Sequence, residues 1–128
     1  MTDAQKAAEL AGRTLMAAIF LKSGIGKLTA YAGTQAYMAA AGVPGALLPV
    51  VIALEVLGGL ALIAGYRTRL VSIALAVFTV VAALLFHSHL ADQMQQVLFL
   101  KNLAISGGFL ILAVHGAGAW SVDARRTI

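Results

Sequence analysis

One acid and two bases lie inside stretches that are otherwise apolar: Glu55, Lys22 and Lys101. A charge at the centre of a membrane helix costs about 2.5–3.5 kcal/mol on insertion scales, so such residues face the interior of a helix bundle and mark function. Glu55 stands near the middle of the run from Ala46 to Tyr66, out of reach of water, and needs a proton, a hydrogen bond or a cation. Counting about 1.5 Å per residue from each helix centre, Lys22 and Lys101 fall at comparable depth. A Lys22–Glu55–Lys101 cluster would carry one surplus positive charge where screening is poor, suiting an anionic ligand or the anionic state of a redox ligand. Asn102, beside Lys101, forms a second polar row with Ser106. Two readings stay open: pairing that only fixes helix register, and pairing that also binds a ligand. Lys27 reads as a snorkelling residue whose ammonium reaches the interface; for Lys22 and Lys101 snorkelling competes with pairing.

The histidines invite a metal or haem reading and do not sustain it. His87 and His115 end different apolar runs, nearly a membrane thickness apart, and His87 and His89 would point away from each other on a helix. No metal site is expected. His87 is a candidate for exchanging protons with water near the level of Lys101. Cysteine is absent, which excludes thiolate and iron–sulfur chemistry by this chain alone. Gly24-Ile25-Gly26-Lys27-Leu28 imitates the tail of a phosphate-binding loop but lacks its first glycine and its Ser or Thr. Gly58 and Gly59 follow Glu55 by one turn, and Gly107 and Gly108 follow Lys101 by about two; small residues at that spacing admit close helix packing.

The elements that must position these residues follow from composition. Of 128 residues, 61% are hydrophobic and 11% charged, far below the roughly 25% charge of a soluble domain, so lipid is the expected solvent. A disordered chain is excluded by the same figures. The net charge of +4 is scattered between apolar runs with no basic stripe among aromatics, so nucleic acid is not an expected partner. Spanning takes about 20 apolar residues. Four stretches approach that length: Leu10 to Leu28, Ala46 to Tyr66, Leu70 to Phe86 and Val97 to His115. Alanine and leucine dominate and alternation is missing, so helices are expected. The fold expected is all-α, a single membrane domain over 1–128 built as an antiparallel four-transmembrane-helix bundle.

Lys6, Arg13, Arg67, Arg69, Arg125 and Arg126 would share one side, which places both termini in the cytoplasm by the positive-inside rule. Thr29 to Val43 is too long for a turn and too polar to span; its tyrosines suggest a short helix lying in the interface. Ala30-Tyr31-Ala32 has the form of a signal-peptide cleavage site, but Lys22 and Lys27 interrupt the apolar stretch before it and argue for a retained span.

Together, Arg13, Gly24-x-Gly26-Lys27-Leu28, Glu55-x-x-Gly58-Gly59, Gly65-x-Arg67-Thr68-Arg69, Phe86-His87 and Lys101-Asn102-Leu103-Ala104-Ile105-Ser106-Gly107-Gly108 resemble the DoxX family, in order and spacing, from about Arg13 to Leu112. The resemblance implies a small bacterial inner-membrane protein, with relatives named as a subunit of a thiosulfate:quinone oxidoreductase or associated with oxidative stress. Bound quinone becomes the expected ligand, no intrinsic cofactor is expected, and the expected partners are the lipid bilayer, an oxidoreductase and further copies of the chain. Ligand contacts would fall to Glu55, Lys22, Lys101, Asn102 and His87. A non-catalytic scaffold subunit is the alternative, and a small transporter the third reading.

Overall fold

The computed structural model describes residues 1–126, which fold into helices in two compact units. Unit 1 holds Met1–Arg67 together with residues 117–126; unit 2 is Thr68–Gly116. The all-α expectation holds, with four long helices over the four apolar stretches.

In unit 1, α1 (Asp3–Thr29) starts at a reciprocal cap: Thr2 Oγ1 accepts from the Gln5 N–H at 3.1 Å, and Gln5 Oε1 accepts from the Thr2 N–H at 2.8 Å. Its buried residues, Arg13, Ala17, Phe20 and Gly24, recur at alternating steps of four and three and form one stripe. The expected interfacial segment forms α2 (Tyr31–Ala40), which ends before Gly42, at φ 79°, and Pro44. A short 3-10 turn, Gly45–Leu47, leads into α3 (Leu48–Ala64), and Gly65 ends α3 in the left-handed conformation at φ 71°. Helices α1 and α3 pack antiparallel: Arg13 meets Leu62, Gly59 faces Ala17 and Leu21, and Gly24 faces Glu55 and Val56. The start of α1, the end of α3 and the short α6 (Val122–Arg126) therefore gather at one end of this unit.

Unit 2 is a helical hairpin of α4 (Thr68–Phe86) and α5 (Gln93–His115). The Asp92 carboxylate caps α5 by accepting from the Met94 N–H at 2.9 Å, which carries the helix four residues further toward its N-terminus than the expected span. Asn102 donates to the Thr79 carbonyl and Ser106 to the Ala76 carbonyl; one position rises as the other falls, so this pair is antiparallel too.

Three helical segments are long and apolar enough to cross a membrane: Gly45–Ala64, Thr68–Phe86 and Gln93–His115. They match the expected second, third and fourth spans. Helix α1 is longer than any of them but carries Arg13, Lys22 and Lys27 within Leu10–Leu28, which keeps it outside that set. How those charges are answered decides what α1 is.

Candidate functional site

The buried face of α3 reads Leu48, Ile52, Glu55, Gly58, Gly59 and Leu62, so Glu55 points into the seam with α1. Its side chain is 4% exposed. Gly24 makes the approach possible: a Cβ there would come within 2.6 Å of Val56 Cγ2 and 3.2 Å of Glu55 Cβ. One turn beyond Gly24, Lys27 bends back along the seam. Its Nζ donates to Glu55 Oε1 at 2.7 Å and to Ser23 Oγ at 2.6 Å, and its side chain is 25% exposed. A carboxylate that had no access to water is thereby answered by a charge and a hydrogen bond.

This arrangement corrects the expected partner. The counter-charge of Glu55 is Lys27, not Lys22, and the reason is helical phase. Arg13, Ala17, Phe20, Gly24 and Lys27 continue the four–three rhythm, so Lys27 falls on the buried stripe, whereas Lys22 lies on another face of α1 and is exposed. Depth alone had favoured Lys22. Lys27, expected to snorkel to the interface, instead uses its flexible stem to reach inward.

The remaining expected ligand residues belong to unit 2. Lys101 is exposed, one position off the buried row of α5 made by Asn102, Ser106 and Phe109. Asn102 is buried and donates through Nδ2 to the Thr79 carbonyl at 3.3 Å. His87 lies just past α4, partly buried, with Nδ1 3.3 Å from Gln95 Oε1. Of the glycines read as packing positions, Gly59 would set a Cβ 2.8 Å from Leu21 Cγ and 3.4 Å from the Ala17 carbonyl oxygen, Gly58 is buried and Gly108 partly so. Gly107 differs: a Cβ there would meet nothing within 4 Å, so nothing in unit 2 requires a glycine at that position. No cluster of three His, Asp or Glu side chains able to hold a metal occurs among the described residues.

A second buried charge sits at the other end of the seam. Arg13, 2% exposed, donates through Nη1 to the carbonyls of Leu62 and Ile63 at 2.8 and 3.0 Å, and through Nη2 to that of Trp120 at 2.5 Å. The last carbonyls of a helix lack intrahelical donors and carry partial negative charge, so a guanidinium is a fitting cap for α3. Glu9 and Asp123 add negative charge nearby. In the sequence Arg13 served to orient the chain and opened the DoxX-like pattern, with no partner assigned to it. The stripe Arg13–Ala17–Phe20–Gly24–Lys27 was the signal that would have placed both basic residues in the seam.

The sequence pattern of DoxX matches residues 8–88. Over 114 residues the chain is 53% identical to "Inner membrane protein YqjF" of Escherichia coli (strain K12), covering 89% of this chain and 88% of that protein. Over 124 residues it is 33% identical to "Inner membrane protein YphA" of the same organism, covering 91% and 88%. No solved structure is a significant match.

Proposed function

The chain belongs to the DoxX family and is a multi-pass inner membrane protein, and from that premise we propose that it holds a quinone against the Lys27–Glu55 pair as a component of a membrane redox or oxidative-stress system. One observation carries this reading: a charged pair, built from two helices, stands in an apolar seam with a donor to spare. Lys27 has three N–H donors, of which Glu55 and Ser23 take two. The third is left for a carbonyl oxygen, and Glu55 is the adjacent group that can accept a hydrogen bond from a ligand hydroxyl. The pair is neutral overall, which suits a neutral carbonyl headgroup better than the anion expected from two lysines around one carboxylate. Phe20 and Ile52, on the same buried faces, supply apolar surroundings for a ring. A bound quinone would contribute two-electron carrier chemistry between its carbonyl and hydroxyl forms; the chain's own residues bind, orient and exchange protons. Electrons would come from an oxidoreductase partner.

With Arg13 and Lys27 turned into the seam, Lys22 is the one charge within Leu10–Leu28 left on the outer surface of α1, and its flexible stem can carry it to the interface; α1 is the fourth span in this proposal. The end of unit 1 that holds Lys6, Arg67, Arg125 and Arg126 is the cytoplasmic one by the positive-inside rule.

The test is solvent extraction of protein purified from quinone-containing membranes in mild detergent, with quinone quantified by absorbance. Wild type is expected to carry quinone, and Lys27→Met, Glu55→Gln and the paired substitution Lys27→Met/Glu55→Gln to lose it. The paired substitution strands no buried charge, so its loss of ligand with the fold retained separates binding from folding. Wild type free of quinone, or variants that keep it, overturns the proposal and leaves the scaffold reading, for which the close approach at Gly24 is the supporting observation.

A further inference from the structure

We propose that Tyr66, Arg67 and Arg126 form a binding site for the headgroup phosphate of an anionic phospholipid at the end of α3. Tyr66 and Arg67 are the first residues past the apolar segment Gly45–Ala64 and its terminating Gly65, which sets them at headgroup level if that segment spans the bilayer. Two guanidinium groups converge on one phenol ring: the Cζ atoms of Arg126 and Arg67 lie 5.2 and 5.8 Å from its centroid. Arg67 Nε also donates to Tyr66 Oη at 3.3 Å. Stacking over a ring fixes the plane of a guanidinium yet leaves most of its N–H edge unspent, which is the geometry that takes phosphate oxygens in pairs. All three side chains are exposed.

The backbone supports a built site rather than a chance meeting of surface arginines. Arg67 adopts φ 47°, left-handed, and is the only non-glycine residue among those described with positive φ. That conformation is unfavourable for a side chain of this size and persists only where its surroundings impose it. Asp123 imposes it here: its Oδ1 accepts from the Arg67 N–H at 2.7 Å, while its own N–H donates to the Gly65 carbonyl at 2.9 Å. The clasp holds α6, and so Arg126, beside Tyr66. Arg125 adds a further exposed positive charge on α6. The two ring-bound arginines hold the Tyr66 phenol below the ordinary tyrosine value through hydrogen bonds and charge, as a local excess of positive potential requires.

Lipid, rather than a soluble phosphate, follows from the company the arginines keep. Trp120 is 46% exposed and Val122 is 38% exposed on the same C-terminal segment. An exposed tryptophan and an exposed tyrosine at the same end of an apolar helix pair are the signature of the membrane interface, where acyl chains begin. Basic groups just outside a spanning helix attract anionic lipid, each worth about fivefold in affinity.

The full chain in neutral detergent, analysed by native mass spectrometry during titration with phosphatidylglycerol and, separately, phosphatidylcholine, tests the site. Phosphatidylglycerol is expected to bind about 25-fold tighter than phosphatidylcholine, and Arg67→Gln/Arg126→Gln to weaken it about 25-fold, to the level of phosphatidylcholine. Tyr66→Leu, which removes the platform and neither charge, should weaken phosphatidylglycerol binding severalfold and keeps the test decisive if the double variant does not fold. Equal affinity for the two lipids overturns the proposal, as does phosphatidylglycerol binding that survives these substitutions. A third arm adds inorganic phosphate. Displacement of the lipid at equal concentration would mark a free-anion site and overturn the lipid assignment.

Discussion

The two helix pairs of this protein, α1 with α3 and α4 with α5, are held by different chemistry. Within lipid, apolar side chains give no net drive to associate, so close packing and polar contacts carry the task. In unit 1 the polar contacts are charged: Arg13 caps α3 at one end, and Lys27 meets Glu55 toward the other, with Gly24 and Gly59 between them. In unit 2 they are neutral: Asn102 and Ser106 donate to carbonyls of Thr79 and Ala76. Those carbonyls belong to the body of α4 and have the helix's own ladder to fall back on. Removing a neutral donor leaves little unsatisfied, whereas removing one member of a buried charged contact strands the other. Charge is an expensive way to join helices, and its confinement to unit 1 is why the candidate site is sought there.

That contrast can be broken by measurement. The largest effect belongs to Arg13→Met, which removes three charge-assisted hydrogen bonds at once and takes a donor from each of the Leu62, Ile63 and Trp120 carbonyls. A loss on the order of 5 kcal/mol is expected, read as little folded protein or a large fall in apparent Tm in detergent. Lys27→Met should cost about 3–5 kcal/mol by stranding the Glu55 carboxylate, and Lys27→Met/Glu55→Gln should recover most of it, a non-additivity that a double-mutant cycle in an unfolding titration reads directly. Asn102→Leu and Ser106→Ala are each expected to cost about 0.6 kcal/mol, the usual worth of a neutral interhelical hydrogen bond in lipid. If these match the charged substitutions, the distinction between the seams fails. The smallest effect is at Tyr66. Arg126→Gln should move its phenol back up toward the ordinary tyrosine value, seen as phenolate absorbance appearing at higher pH. Because the folded value lies below the unfolded one, any stabilisation from ionised Tyr66 exists only at alkaline pH and vanishes as pH falls through the folded value, so stability at neutral pH should not change.

Three of the four expected spans were readable because length and hydropathy suffice for uninterrupted apolar helices, and the short helix after the first expected span was readable as a separate element from its polar composition and a Gly-Val-Pro break. The site was half readable. Glu55 announced itself by depth, but its partner depends on the angle at which a side chain leaves the helix, and Lys22 and Lys27 differ far more in angle than in depth. The phase was written in Arg13, Ala17, Phe20 and Gly24, obscured because the other faces of α1 are also largely apolar. The Trp120 carbonyl was out of reach of any such reading, since a backbone oxygen leaves no mark in residue type; only the fold brings it to Arg13.

That last contact imposes an order on biogenesis. The guanidinium leaves the ribosome more than a hundred residues ahead of the Trp120 oxygen that accepts its third hydrogen bond. Through that interval, seconds at ordinary elongation rates, the first helix carries a charge whose coordination is unfinished. A message truncated before Trp120 yields a product flawed at its beginning as well as its end, and membrane proteases that survey unsatisfied charge would have a handle on it.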